Sequence, residues 1–226
     1  WSDVTPTTNV SLSDFRSYAK ARGTGYQVID FQQHCVIAMM LYAKYKTRNL
    51  QGVLGPGGAT CDPATTTGSS NATGGEDTEN EYSKYVCGLG LEGVFGGICE
   101  FVEGVEINNR VWKITDPDGS IRNVNAGTVS GWIKNIAAEN GPFFDVVPTR
   151  VGGSNLKYYS DRYYQASDNS LVLARSYFNS NEYGGVAYSG AGKYASSQDL
   201  TYGSRLAFRG TISEVSPEQF KKLPAL

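Results

Sequence analysis

The sequence predicts an α+β protein in which helices near the N-terminus are followed by many short strands. Helix signals occur twice in the first 50 residues, whereas from Gly88 onward short apolar runs alternate with turn residues. Helices first and strands later are typical of the α+β class. No repeat of fixed period and no change of composition divides the 226 residues. We therefore expect one domain over residues 1–226, with two N-terminal helices, mostly antiparallel strands and long loops.

The two helices are indicated by their caps and by apolar spacing. The first is predicted over residues 13–21, with Ser13 as N-cap and Gly23 just past its end. The second is predicted to start after Asp30, with Gln33 in the position that completes a capping box. Its apolar residues recur at helical spacing and should face the core: Phe31, Cys35, Val36, Met39, Met40 and Ala43.

A polar segment and widely spaced cysteines follow the second helix. From about residue 55 to 80 the chain is mostly Gly, Thr, Ser, Asn and Pro, which predicts a flexible insertion. Four cysteines are present, and no two are close enough to form a CxxC pair. Cys35 is expected to be a small buried hydrophobe. Cys61 either bridges Cys87 or remains a thiol, because spacing does not establish geometry.

The strands are indicated by short apolar runs between turn residues. The clearest is a hairpin in which residues 111–115 and 120–124 flank the turn Asp116-Pro117-Asp118-Gly119. A turn also explains these two aspartates better than a calcium site does. Further strands are predicted at residues 94–102, 171–175, 185–189 and 204–213.

Charge and motif content exclude several function classes. With 20 basic and 22 acidic side chains the chain has no bulk attraction for nucleic acid. No apolar run approaches the length of a membrane span, so we expect no membrane insertion. The single histidine, His34, forbids a multi-histidine metal site, and the GxGxxG match at 88–93 continues into further glycines instead of a helix. We expect no enzyme activity, no metal and no cofactor.

The segment from Ser176 to Tyr202 carries the strongest functional signal. Sixteen of its 27 residues are Ser, Tyr, Gly or Asn, and nine of the fifteen tyrosines lie between Tyr158 and Tyr202. Tyrosine offers large, stiff contact area, and Ser, Asn and Gly supply adaptable polar contacts, as in antibody loops. The segment predicts a binding surface. The alternative is a loop-rich β-region with half-buried tyrosines, since tyrosine also favours strands.

Two runs resemble the formylglycine-generating-enzyme type of C-type lectin fold. The first is Gly90 to Gly104, with Gly97, Cys99 and Phe101 in place of the usual Asn and two Trp. The second comprises Gly185-Val186-Ala187-Tyr188 and Tyr-Gly-Ser-Arg-Leu-Ala-Phe-Arg-Gly from Tyr202. The resemblance is closest to the variable proteins of diversity-generating retroelements. It implies a non-catalytic protein on a virion tail or bacterial cell surface that binds an unknown protein or glycan receptor.

The resemblance also implies which residues face the ligand and which form the scaffold. Arg205 and Phe208 would be scaffold, with Leu206 and Phe208 pointing inward. The catalytic members need a cysteine where this chain has Leu206, and no cysteine follows Cys99. The variable, ligand-binding positions would lie within about 176–202 on one exposed face: Tyr177, Asn179, Asn181, Glu182, Tyr183, Tyr188, Ser189, Lys193, Tyr194, Gln198, Asp199, Thr201 and Tyr202.

Two other functions remain open at this level. A degenerate enzyme would keep a small-molecule pocket formed by Glu100, Glu103 and Trp132. A structural tip or stalk module would cover its tyrosine-rich face with another subunit, and an oligomer is compatible with either function. Because the chain begins at Trp1 without a basic and apolar leader, we expect a processed chain or a fragment.

Overall fold

The structure is a computed structural model that describes residues 3–58, 66–68, 85–177 and 183–211. It is α+β, with few helices and many strands, as predicted. The helices are α1 (Leu12–Ala21), α2 (Phe31–Tyr45) and α3 (Gln51–Leu54), and a 3₁₀ turn covers Ala137–Glu139. The strands are β1 (Tyr26–Val28), β2 (Val86–Gly88), β3 (Leu91–Phe95), β4 (Cys99–Asn108), β5 (Val111–Thr115), β6 (Ile121–Asn125), β7 (Gly131–Ile136), β8 (Pro148–Val151), β9 (Arg162–Gln165), β10 (Leu171–Arg175), β11 (Ser189–Tyr194), β12 (Tyr202–Ser204) and β13 (Leu206–Phe208).

Both long helices begin with a capping box. In α1 the cap is Ser11, whose hydroxyl accepts a hydrogen bond from the Asp14 N–H at 3.1 Å, while the Asp14 carboxylate accepts one from the Ser11 N–H. The predicted cap at Ser13 is wrong, because Ser13 already lies inside the helix. In α2 the predicted box is confirmed, with the Asp30 carboxylate accepting from the Gln33 N–H at 2.9 Å.

The buried face of α2 differs from the predicted one. The core-facing residues are Phe31, His34, Cys35, Ala38 and Leu41. His34 is buried because its Nε2 lies 3.2 Å from the Ser176 hydroxyl, which gives a polar ring a place in the core. Rotating the buried face toward His34 leaves apolar side chains outside that were predicted to be inside: Val36, Met39, Met40 and Ala43.

A nine-stranded sheet forms the centre of the fold, in the order β6-β5-β4-β10-β11-β9-β7-β8, with β12 also paired to β4. Most pairs are antiparallel, but β9–β11 and β4–β12 are parallel. The predicted β5–β6 hairpin is confirmed, and its turn closes with the Gly119 N–H donating to the Asp116 carbonyl at 2.8 Å. Two small ribbons, β1–β13 and β2–β3, lie outside this sheet.

Two cores cover the two faces of the sheet. Along β10 the side chains alternate, with Leu171 and Leu173 in the larger core beneath α2 and Val172 and Ala174 in the smaller core beside α1. The face that carries α1 also carries most of the tyrosines described below.

Several strand predictions need correction. Residues 185–188 form a turn and not a strand, because Gly185 has a φ of +124° and the next strand begins only at Ser189. The predicted strand at 204–213 is interrupted at Arg205, which separates β12 from β13. Leu206 and Phe208 were expected to point inward but are 47% and 40% exposed, because β13 pairs with β1 outside the large sheet.

Other expectations concern the insertion, the cysteines and the membrane. The predicted flexible insertion lies largely outside the described residues, as does Cys61, so its bridge to Cys87 stays an open alternative. The expectation for Cys35 is confirmed, since it is 3% exposed. Among the described helices, none combines the length and the apolar character that a membrane span requires.

Candidate ligand-binding face

An array of aromatic and basic side chains covers the part of the sheet that α1 leaves uncovered. We call this array the aromatic face. Its members come from β7, β9 and β11, from the loops around β11, and from β12. They are linked by ring contacts, by sheet register or by packing in the smaller core beside α1, which we call the α1-side core. The members are Trp132, Arg162, Tyr164, Tyr177, Tyr183, Tyr188, Lys193 and Tyr202.

Tyr183 occupies one end of the aromatic face, between a tryptophan and an arginine. The Arg162 guanidinium lies 4.1 Å from the centre of the Tyr183 ring, a cation–π contact. Trp132 meets the same ring edge to face at 5.5 Å. Trp132 and Arg162 are direct partners in the β7–β9 register, so they share one side of the sheet. These contacts hold the three side chains as one unit.

Two glycines of β11 leave room for aromatic rings beside the strand. A Cβ at Gly192 would meet Cε1 of Tyr164 at 2.4 Å, and one at Gly190 would meet Cε1 of Tyr188 at 3.2 Å. Each ring therefore occupies the space that a β11 side chain would fill. The Tyr164 ring is 52% exposed, so its outer side is open to solvent.

The Tyr188 ring is covered by a second tyrosine. Tyr177 stacks on it with ring centres 4.5 Å apart and planes 16° from parallel. Burial raises the pKa of the Tyr188 phenol well above its usual value, so the group stays neutral at physiological pH. Tyr188 is thus part of the α1-side core and supports Tyr177 from below.

At the other end of the aromatic face a charged pair borders Tyr202. The Lys193 ammonium lies 5.0 Å from the centre of the Tyr202 ring and 3.2 Å from the Asp199 carboxylate. Asp199 also accepts hydrogen bonds from the Thr201 hydroxyl and N–H, at 2.7 and 2.9 Å. Burial opposes these contacts, but they prevail and lower the pKa of Asp199, so it is ionised near neutral pH.

The predicted ligand-facing residues fall into four groups. Tyr194 and Gln198 are exposed. Tyr177, Tyr183, Lys193, Asp199 and Thr201 are half-buried. Asn179, Asn181 and Glu182 lie outside the described residues. The expectation of an exposed position is wrong for the three that are buried: Tyr188, Ser189 and Tyr202.

The buried members have structural partners that explain their position. Tyr188 and Tyr202 pack in the α1-side core, where Tyr202 lies 5.1 Å from the Phe101 ring centre. The Ser189 hydroxyl accepts a hydrogen bond from Arg175 and donates one to the Ala187 carbonyl. A change at any of these three positions would alter the core and not only the surface.

A buried polar network holds the loop that presents Tyr183 and Tyr188. Both oxygens of the Asp161 carboxylate accept hydrogen bonds, one from Gln51 Nε2 at 3.0 Å and the other from the Ala187 N–H at 2.7 Å. The guanidinium of Arg175 donates to the Ala187 and Tyr188 carbonyls at 3.1 and 3.2 Å. Because both side chains are almost fully buried, their hydrogen bonds fix this loop against the sheet.

The sequence did not indicate Arg162 and Tyr164 as members of a binding face. The signal for them was present in the run Arg162-Tyr163-Tyr164, because alternate residues of a strand face opposite sides. Tyr163 is fully buried, which places its two neighbours together on the other side. The sequence alone did not show which member of the run was buried, and β9 was not predicted.

The residues of the alternative enzyme-like pocket do not come together. Glu100 pairs with Arg205 at 2.8 Å, and Glu103 pairs with Arg16. Both glutamates lie on β4, whereas Trp132 lies on β7, and β10, β11 and β9 intervene. Four strand spacings separate the two strands by about 19 Å. A pocket lined by all three side chains is therefore absent from the described structure.

Comparison with known proteins finds no matching family model and no matching curated protein.

Proposed function

We propose that the chain is a non-catalytic receptor-binding protein whose aromatic face contacts the ligand, and that it is a retroelement-diversified variable protein displayed on a phage tail or cell surface. The contact array from Trp132 to Lys193 is the observation that carries this proposal. Rigid tyrosines held by neighbours lose little entropy on binding, and they are enriched among residues that dominate interface energies. The receptor is a protein or a glycan.

The geometry supports a division of labour within the segment 176–202. Half-buried residues such as Tyr177 and Tyr183 contact the receptor, whereas Tyr188 and Tyr202 hold them in place from below. Loops on a rigid sheet tolerate change without loss of the fold, which is the property a diversified surface needs. Fewer positions are therefore free to vary than the residue composition of the segment 176–202 suggests.

Deep sequencing of the locus across a bacterial or phage population tests the proposal. We expect substitutions to concentrate at adenine-containing codons between Tyr177 and Tyr202, with the codons of Tyr188, Ser189 and Tyr202 changing least. The exposed Tyr18 and Tyr158 codons serve as controls, because they lie outside the segment. A uniform spread of substitutions would contradict diversification and leave a fixed-specificity adhesin or structural module.

A binding assay tests the location of the receptor contact independently of diversification. Purified chain, labelled with a fluorophore, should be retained on the surface of cells that carry the receptor. Replacing Tyr177 or Tyr183 with Ala should weaken retention, because each removes a half-buried aromatic side chain of the aromatic face. The matched control is Tyr18→Ala on α1, an exposed tyrosine away from the aromatic face. Equal effects of all three substitutions would contradict the assignment.

A further inference from the structure

The Arg162 side chain is held in place, and within the described residues its N–H groups donate no hydrogen bond. Three other arginines of the described structure, Arg16, Arg122 and Arg205, reach carboxylates. Within the described residues the Arg162 side chain has neither an ion pair nor a hydrogen bond. Its guanidinium instead makes the cation–π contact with the Tyr183 ring. A cation–π contact does not use the N–H groups as hydrogen-bond donors, so they stay available for a bidentate acceptor. An arginine fixed in this way is pre-organised for a carboxylate.

Tyr164 provides an aromatic surface next to that cation. Arg162 and Tyr164 lie two residues apart on β9 and therefore share one side of the strand. Their Cα atoms are about 7 Å apart, a distance comparable with the width of one sugar ring. The Cε1 edge of the Tyr164 ring lies against Gly192, and Tyr164 is 52% exposed. The π electrons of such an open ring attract the C–H groups of a flat partner.

We infer that Arg162 and Tyr164 form a fixed subsite for an acidic sugar residue, in which the sugar ring stacks on Tyr164 and its carboxylate binds Arg162. Neither residue lies within the segment 176–202, so both side chains would be retained when the variable positions change, while a change at Tyr183 would remove the ring that holds Arg162 in place. The inference rests on the proposed receptor-binding function and narrows the receptor to an acidic glycan. The variable residues around Tyr177 and Tyr183 would then distinguish one acidic glycan from another.

An acidic sugar fits this pair better than an acidic peptide does. A glutamate or aspartate of a peptide would use the arginine but leave the open Tyr164 ring without a partner. A pyranose that carries a carboxylate presents an apolar ring side and a charge in one rigid unit, matching both groups at once. The rigid ligand also loses less conformational entropy on binding than a flexible side chain.

Titration of the purified chain with simple glycosides, followed by saturation-transfer NMR and calorimetry, tests the subsite. The probes are the methyl glycosides of glucuronic acid and of sialic acid, with methyl glucoside as the uncharged control. We expect at least one acidic glycoside to bind about tenfold or more tightly than methyl glucoside. The two acidic probes distinguish a uronic acid from a sialic acid as the source of the carboxylate.

Variants separate the two contacts. Arg162→Gln should lower the affinity for the acidic glycoside about tenfold and leave the weak binding of methyl glucoside unchanged. Tyr164→Ala should weaken both. The matched control is Arg150→Gln, because Arg150 is an exposed arginine on β8. If Arg162→Gln fails to fold, Arg162→Lys, which keeps the charge but loses the planar fork, should still bind the acidic glycoside several-fold more weakly than the original chain.

Three outcomes would overturn the inference. They are an affinity for both acidic glycosides that is no greater than the affinity for methyl glucoside, an undiminished affinity in Arg162→Gln, and Arg162-dependent binding of an acidic peptide but not of either acidic glycoside. In each case, retention on cells that is lost on replacing Tyr177 or Tyr183 would leave the proposed function intact. Loss of the proposed function would instead appear as cell retention that is insensitive to these tyrosines.

Discussion

Replacing Asp161 with Asn should change the pH dependence of stability, because this carboxyl group is buried beneath the loop that presents Tyr183. Both of its oxygens accept hydrogen bonds, from the Gln51 amide and the Ala187 N–H. An asparagine has one oxygen and one NH₂ group, so one of the two donors loses its acceptor. Leaving one buried donor unsatisfied costs about 1–3 kcal/mol.

The pH dependence follows from the environment of the carboxyl group. Burial raises the pKa of Asp161 to about 8, and it outweighs the hydrogen bonds from Gln51 and Ala187 that lower the pKa. In the unfolded chain the group titrates near about 3.9. Between these values the folded protein holds a proton that the unfolded chain has released. The free energy of unfolding therefore falls as the pH rises, by up to about 1.4 kcal/mol per pH unit.

The sign of this effect distinguishes it from the usual behaviour of an aspartate. The contribution is complete below about pH 4 and is lost as the pH rises through about 8. Asp161→Asn does not titrate, so the stability of the original chain minus that of the variant should fall between pH 5 and pH 7. The expected fall is up to about 2.7 kcal/mol.

Urea denaturation at pH 5, 6 and 7, followed by far-UV circular dichroism, measures this difference. The control is Asp199→Asn, since the pKa of Asp199 is lowered and its stabilising contribution is lost only as the pH falls below that range. Its stability difference should be flat from pH 5 to 7. A flat profile for Asp161→Asn as well would refute the reasoning, because it would mean that the two donors keep the buried carboxylate ionised.

Two further predictions concern the aromatic face. Tyr188→Ala should lower the free energy of unfolding by about 3–5 kcal/mol, because it empties a core site. Replacing the exposed Tyr194 with Ala should lower it by less than about 0.5 kcal/mol. Similar losses for the two variants in thermal or urea denaturation would contradict the assignment of Tyr188 to the core. Gly192→Val should cost about 1–3 kcal/mol because its Cβ would overlap the Tyr164 ring. That cost should shrink when Tyr164 is replaced with Ala, and an unchanged cost in this double-mutant cycle would exclude the overlap as its cause.

Features that depend on neighbours along the chain could be predicted from the sequence. The capping box joins Asp30 and Gln33, which are three residues apart, and the hydrogen bond that closes the turn between β5 and β6 joins Asp116 and Gly119, also three apart. The shift of the α1 cap from Ser13 to Ser11 is a failure within this class, since two serines offered the same local chemistry. Local signals thus identified these elements but did not always fix their first residue.

Features that depend on the core could not be predicted in this way. The exposed side of α2 is more apolar than expected because the core accepted His34, whose partner Ser176 lies 142 residues away. Tyr188 looked like the other tyrosines of its segment, and only its stack with Tyr177 and its place over Gly190 show that it is buried. Long-range contacts of this kind leave no periodic signal in the sequence.

The sequence by itself determined the α+β class, the α2 start, the β5–β6 hairpin and the concentration of tyrosines near the C-terminus. These follow from composition, hydrogen bonds between near neighbours and alternation along one strand. Only the tertiary structure decided which tyrosines support the aromatic face and which are accessible on it. It also placed Arg162 and Tyr164 in the aromatic face. Strand order and register made those decisions, because they bring β7, β9 and β11 side by side from segments that are far apart in the chain.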